Sequence, residues 1–140
     1  LDSIQAAVLD AKLPHLKQYT QSRQNAARRY DEGFCLNPHL MIPGREPHST
    51  HVYHQYTLRV MDYDRDRLRE ELAAKGIPSM VYYPIPLHLQ KAYHDPRYKE
   101  GDFPAAELLA QCVLSLPMHT ELDDEQLQYI IDNVNGLLNC

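Results

Sequence analysis

Apolar residues recur along this chain at helical spacing in some stretches and alternate with polar ones in another, and the breaks between them fall at proline and glycine. From Asp2, the positions Ile4, Ala7, Val8 and Ala11 share one helical face until Pro14 interrupts the run. Asp2 with Gln5 three residues later reads as a capping box, with Leu1 as the apolar residue ahead of it. Leu16, Tyr19, Arg23, Ala26, Ala27 and Tyr30 continue the helical pattern, and Gly33 supplies a stop signal. Two helices or one kinked helix are therefore predicted for the opening segment. Pro38, Pro43, Gly44 and Pro47 mark a connecting loop with a short extended piece at 40–42.

Strict alternation over 51–60, with Val52, His54, Tyr56, Leu58 and Val60 on one side, predicts a strand with one buried face. Asp64 is placed to cap the next helix, which carries Leu68 and Leu72 and stops at Gly76 and Ile77. A short strand over 79–83 leads into a proline-rich loop, and the polar stretch 94–101 reads as exposed and mobile. Pro104 opens a helix running to about Gln111, and 113–116 reads as a buried strand ended by Pro117. Asp123 and Gln126 box the start of a last helix, whose stripe is Leu127, Ile130, Ile131, Val134, Leu137 and Leu138. This order predicts an α+β fold with helices covering one face of a small sheet. No internal repeat or low-complexity segment interrupts it.

A chain of 140 residues makes about one domain. Its 44% apolar and 24% charged residues are those of an ordinary globular protein, and a net charge of −5 gives no basic footprint for nucleic acid. Arg65, Arg67 and Arg69 alternate with acidic residues and read as a solvated helix face. No run reaches the ~18 apolar residues of a membrane span, and no signal peptide opens the chain. A soluble, cytoplasmic protein with no membrane partner is expected. Cys35, Cys112 and Cys140 are widely spaced and form no CxxC pair, which fits a reducing compartment. Because the first residue already belongs to a helix start, the chain reads as the C-terminal part of a longer polypeptide.

Candidate chemistry concentrates in the loop Val81-Tyr82-Tyr83-Pro84-Ile85-Pro86-Leu87-His88-Leu89-Gln90. Pro84 and Pro86 fix their own φ and push Tyr83 and Ile85 toward extended geometry, so the neighbouring polar and aromatic side chains are presented with little backbone freedom to lose. Two readings stand: a wall for a polar ligand, or a plain connection whose tyrosines pack at the core edge. His51 and His54 make a poor metal pair, because residues three apart on a strand face opposite ways. His88 and His94 have no acidic or cysteine partner at ligand spacing, so no metal site is expected. Cys112, in an apolar run, reads as a small hydrophobe rather than a nucleophile. Neither a nucleophile elbow nor a glycine-rich phosphate loop is present.

Several pieces share an order with one enzyme family: Leu1-Asp2-Ser3-Ile4-Gln5-Ala6-Ala7-Val8-Leu9, His54-Gln55-Tyr56, Gly76-Ile77, Tyr83-Pro84-Ile85-Pro86-Leu87-His88, Phe103-Pro104-Ala105-Ala106-Glu107 and Leu114-Ser115-Leu116-Pro117-Met118-His119. Together they resemble the C-terminal third of the DegT/DnrJ/EryC1/StrS family of pyridoxal-phosphate-dependent nucleotide-sugar aminotransferases. The resemblance implies the C-terminal small domain of an aspartate-aminotransferase-like fold, with a mostly antiparallel sheet. Residues 1–33 would form a helical segment linking to a missing large domain, and 34–140 the small domain. It implies a homodimer that moves an amino group, commonly from glutamate, to a nucleotide-linked keto sugar, in polysaccharide or antibiotic-sugar synthesis.

The same resemblance places Tyr83 and His88 near the nucleotide-sugar, with Tyr82 beside them and Gln55 as a further contact. No catalytic, cofactor-binding or metal-binding residue is assigned. Lys12, Lys17, Lys75, Lys91 and Lys99 all lack the setting of the family's aldimine lysine, and the acidic partner of the cofactor ring is expected upstream. The family's phosphate-binding asparagine and arginine are likewise expected just before Leu1. Pyridoxal phosphate is thus expected in the parent protein and not on this chain, which should be inactive alone. The alternative is a stand-alone, non-catalytic binding or dimerisation module on the same scaffold, which a start codon at Leu1 would favour.

Overall fold

A computed structural model describes residues 2–139, so Leu1 ahead of the first cap and Cys140 lie outside the described residues. Helix α1, Ser3–Lys12, begins at the expected capping box: Asp2 accepts from the Gln5 amide at 2.8 Å, and the Gln5 side chain returns to the Asp2 amide. Pro14 sits in a 3-10 turn over Leu13–His15, after which helix α2 runs Leu16–Phe34. None of the described α1 side chains is buried, and Ile4, Val8 and Leu9 face outward. By contrast Ala26, Ala27, Tyr30 and Phe34 of α2 enter the core.

Strands β1, Leu40–Met41, β2, Tyr56–Val60, and β3, Val113–Leu116, form a sheet in the order β1-β2-β3, antiparallel throughout. Its buried face carries Leu40, Tyr56, Leu58, Val60, Leu114 and Leu116, covered by α2, helix α3, Arg65–Ala74, and helix α5, Asp124–Leu138. Helix α4, Pro104–Cys112, leads directly into β3. The α+β architecture is the one the sequence predicts.

Three expectations need correction. The strand predicted over 51–60 forms only from Tyr56 onward, because β1 and β3 offer no partners to 51–55. There the backbone is satisfied by side chains instead: Gln24 donates to the His51 carbonyl, and the Tyr53 amide donates to His51 Nδ1. Tyr53 adopts φ 49° and is buried while Val52 is exposed, which reverses the expected facing. The strand predicted over 79–83 reduces to a single bridge between Met80 and Ser115, since Pro78 lacks a donor and Pro84 ends the segment. Arg65 is not on a solvated face: it is 8% exposed and donates to the Ala110 and Val113 carbonyls at 3.1 and 2.9 Å.

Two glycines show different physics. Gly76 takes φ 75° after α3, with its amide on the Ala73 carbonyl and the Ile77 amide on that of Leu72, the paired bonds of a Schellman stop. Gly33, read as a stop, is the last residue but one of α2, and a Cβ there would stand 2.7 Å from Ile131 Cγ2 on α5. Its role is close helix approach. Asn135 of α5 holds the same contact by donating to the Gly33 carbonyl at 3.0 Å.

Candidate functional site

The proline loop leaves the core at the buried Val81 and enters a 3-10 turn at Leu87–Leu89. Tyr82 and Tyr83, joined by a cis peptide bond, are 41% and 70% exposed, with rings edge to face at 5.8 Å between centroids. They line an open cleft of about 570 Å³ together with Thr57, Tyr93, Leu109 and Val113. Every residue of that lining is uncharged. Gln90 lines it too, and its side-chain amide donates to the Ile85 carbonyl at 3.0 Å, stiffening the loop from within.

His88 is not among the residues lining this cleft. Its side chain is 9% exposed, packs on the Phe103 ring at 4.7 Å, and shares a 2.9 Å hydrogen bond from Nε2 to Glu107 Oε1. Glu107, in the first turn of α4, also accepts the Gly101 and Phe103 amides at 2.9 and 3.3 Å. Desolvation pushes its carboxyl upward, but the two amides and His88 outweigh that and hold it below the usual carboxylate range. Glu107 therefore ties the proline loop, the 94–103 connection and the α4 N-terminus together. Sequence reasoning assigned it no role; an acid in the first turn of a proline-opened helix was the available signal.

Gln55 lies on a different cleft, of about 810 Å³, between α2 and the loop before β2. Thr57 borders both clefts and pairs with Ser115 through hydroxyls 2.7 Å apart. The structure thus brings Tyr82 and Tyr83 to one site, places Gln55 on an adjoining one, and uses His88 as an anchor between elements. Tyrosine rings and hydroxyls over an uncharged cleft can stack on and hydrogen-bond a hydroxylated ligand.

The model of the DegT/DnrJ/EryC1/StrS aminotransferase family matches residues 1–135. The chain belongs to that family. Among its family relatives, the pleiotropic regulatory protein of Geobacillus stearothermophilus is 42% identical over 136 residues, 96% of this chain and 36% of that protein. The dTDP-3-amino-3,4,6-trideoxy-alpha-D-glucose transaminase of Streptomyces venezuelae is 39% identical, over 96% of this chain and 35% of its own length. The crystal structure of S. venezuelae DesV in complex with a ketimine intermediate superposes with a TM-score of 0.94 at 37% identity, covering all of this chain and 37% of that one. This member of the DegT/DnrJ/EryC1/StrS family thus spans just over a third of the length of the curated relatives it matches.

Family membership raises the question of pyridoxal phosphate, whose chemistry needs a lysine facing the bound ring. All five lysines of this chain are exposed, and none borders a described cleft from which it could hold the cofactor ring. None of the described helices is long and apolar enough to cross a membrane.

Proposed function

We propose that this chain supplies the substrate-facing small domain of a pyridoxal-phosphate-dependent aminotransferase acting on a nucleotide-linked keto sugar. The observation that carries the reading is the pair Tyr82 and Tyr83, held side by side and exposed over an uncharged cleft by a loop pinned through His88 and Glu107. Such a wall suits a sugar or a base, which offer hydroxyls and flat faces without charge. His88 serves the site by fixing the loop, and Gln55 serves it from the adjoining cleft. The relatives named as transaminases of dTDP-linked sugars support the substrate class.

In this reading residues 1–33 run toward a cofactor-bearing domain, while the last turns of α2 are built into the 34–140 unit. The outward apolar side chains Ile4, Val8 and Leu13 support a further packing partner for that segment. The parent is a cytoplasmic homodimer that takes the amino group from glutamate, and the chain alone does not transaminate. A borohydride-reducible aldimine on one of its own lysines, with turnover, would contradict that last point.

The test is a titration of the isotope-labelled chain with UDP-N-acetylglucosamine and with a dTDP-linked hexose, read by amide chemical shifts. Shifts at Tyr82, Tyr83 and Leu87 that vanish in Tyr83→Ala support the reading. Shifts confined to the groove between α5 and Pro78, or none at millimolar ligand, refute it.

A further inference from the structure

The cleft under Tyr82 and Tyr83 is lined mostly by apolar side chains, and few of its polar groups have a fixed direction. Gln90 has already given its side-chain amide to the Ile85 carbonyl. Thr57 differs. It stands on the middle strand β2, on the sheet face opposite the core, and borders both this cleft and the one beside it. Branching at its Cβ restricts its rotamers, and its cross-strand neighbour Ser115 on β3 holds its hydroxyl at 2.7 Å.

Two hydroxyls joined by one hydrogen bond own two protons, and only one of these lies between them. The other belongs to whichever hydroxyl accepts. If Thr57 donated, the Ser115 proton would be left in a place 5% exposed, where Ser115 Oγ has no further partner among the described residues. A buried donor without an acceptor carries the full cost of its lost hydration. If Ser115 donates instead, both protons are used: that of Thr57 turns into the cleft, where water takes it until a ligand does. The second arrangement therefore wins. A hydroxyl that accepts one hydrogen bond also becomes a stronger donor in the next.

We propose that Thr57 is a specificity-determining residue: directed by Ser115, its hydroxyl donates to an oxygen of the sugar under Tyr82 and Tyr83, selecting a hydroxyl or carbonyl there over a deoxy carbon. This rests on the substrate class proposed above. A site built to hydrogen-bond an oxygen rejects the analogue that lacks it, because the donor is then stranded. Ser115 acts through Thr57 and is a positioning residue.

The full chain is titrated by calorimetry with dTDP-glucose and with the counterparts that each lack one sugar hydroxyl. One counterpart should bind about tenfold more weakly than dTDP-glucose, the loss of one hydrogen bond in a site made for it. Thr57→Val, which keeps the shape and drops the hydroxyl, should weaken dTDP-glucose about tenfold and leave that counterpart unchanged. Thr57→Ser should restore both affinity and discrimination. Ser115→Ala should give an intermediate loss, again only with ligands that carry the oxygen. The proton's direction is read on the free native chain by nuclear magnetic resonance, where a buried, hydrogen-bonded hydroxyl proton exchanges slowly: Ser115 should show one and Thr57 should not.

A protected hydroxyl proton on Thr57 in the free chain overturns the assignment. So does a Thr57→Val affinity that is unchanged, or lowered equally for every ligand, and either result leaves the proposed function standing. No binding of any of these ligands at millimolar concentration sinks the assignment and the proposed function together.

Discussion

Arg65→Ala is expected to destabilise the chain by about 3 kcal/mol, from two charge-assisted hydrogen bonds lost in a buried place at about 1.5 kcal/mol each, the low end for such bonds. Arg65 sits in the first turn of α3, where a cation opposes that helix's own dipole. Its guanidinium instead reaches the carbonyls of Ala110, in the last turn of α4 where helical donors run out, and Val113, at the start of β3. Removing it strands both acceptors in the interior. The ion pair with Asp66 adds little, because Asp66 is exposed to water, so Asp66→Ala should cost under about 1 kcal/mol. Urea unfolding followed by far-ultraviolet circular dichroism measures this directly. With a slope of about 2 kcal/mol/M for a domain of this size, the midpoint should drop by about 1.5 M at unchanged slope. Arg65→Lys, which can satisfy one carbonyl, should recover about half of the loss. An Arg65→Ala midpoint within about 0.25 M of the native one would refute the reasoning, as would an equal loss in Asp66→Ala.

Gly33→Ala sets a helix-propensity gain of at most about 1 kcal/mol against overpacking of about 1–3 kcal/mol on Ile131, so a net loss is expected in the same unfolding assay. A more stable variant would contradict the close approach of α2 and α5. Glu107 is held ionised below its ordinary value of 4.5, so the anchoring it gives is present above that pH and lost as pH falls through its lower folded value. The Gly101 amide proton should titrate with a midpoint below 4.5, and Glu107→Gln should abolish that titration; a midpoint at or above 4.5 would tell against the anchor.

Local signals made much of the fold legible. The capping boxes at Asp2 and Asp123, the Asp64 cap and the Gly76 stop all form as read, because each is settled within a few residues of chain. Where the reading failed, distant partners decided. Alternation over 51–55 matches a strand, yet no neighbouring strand reaches it, and Gln24 captures its backbone instead. Interleaved charge around Arg65 suggests solvent, but carbonyls 45 and 48 residues away draw the side chain inward. Gly33 does mark the end of α2, but its second role, leaving room for Ile131 from the far end of the chain, is not visible locally.

The site was legible in the same uneven way. Proline spacing singled out the loop that presents Tyr82 and Tyr83, since stiff extended geometry is a local property. That His88 turns to Glu107 depends on where α4 begins, and that Gln55 belongs to another cleft depends on how α2 and the 43–55 loop pack. Neither is written in the neighbouring residues.

The central claim is that Tyr83 belongs to the substrate-facing wall of a nucleotide-sugar aminotransferase. Its most direct test is steady-state kinetics of the complete parent polypeptide on a nucleotide-linked keto sugar, with glutamate as donor. Tyr83→Ala should raise the KM for the sugar about tenfold or more while kcat stays within about twofold, the pattern of lost substrate binding without lost chemistry. An unchanged KM, or a collapse of kcat at unchanged KM, would contradict the account.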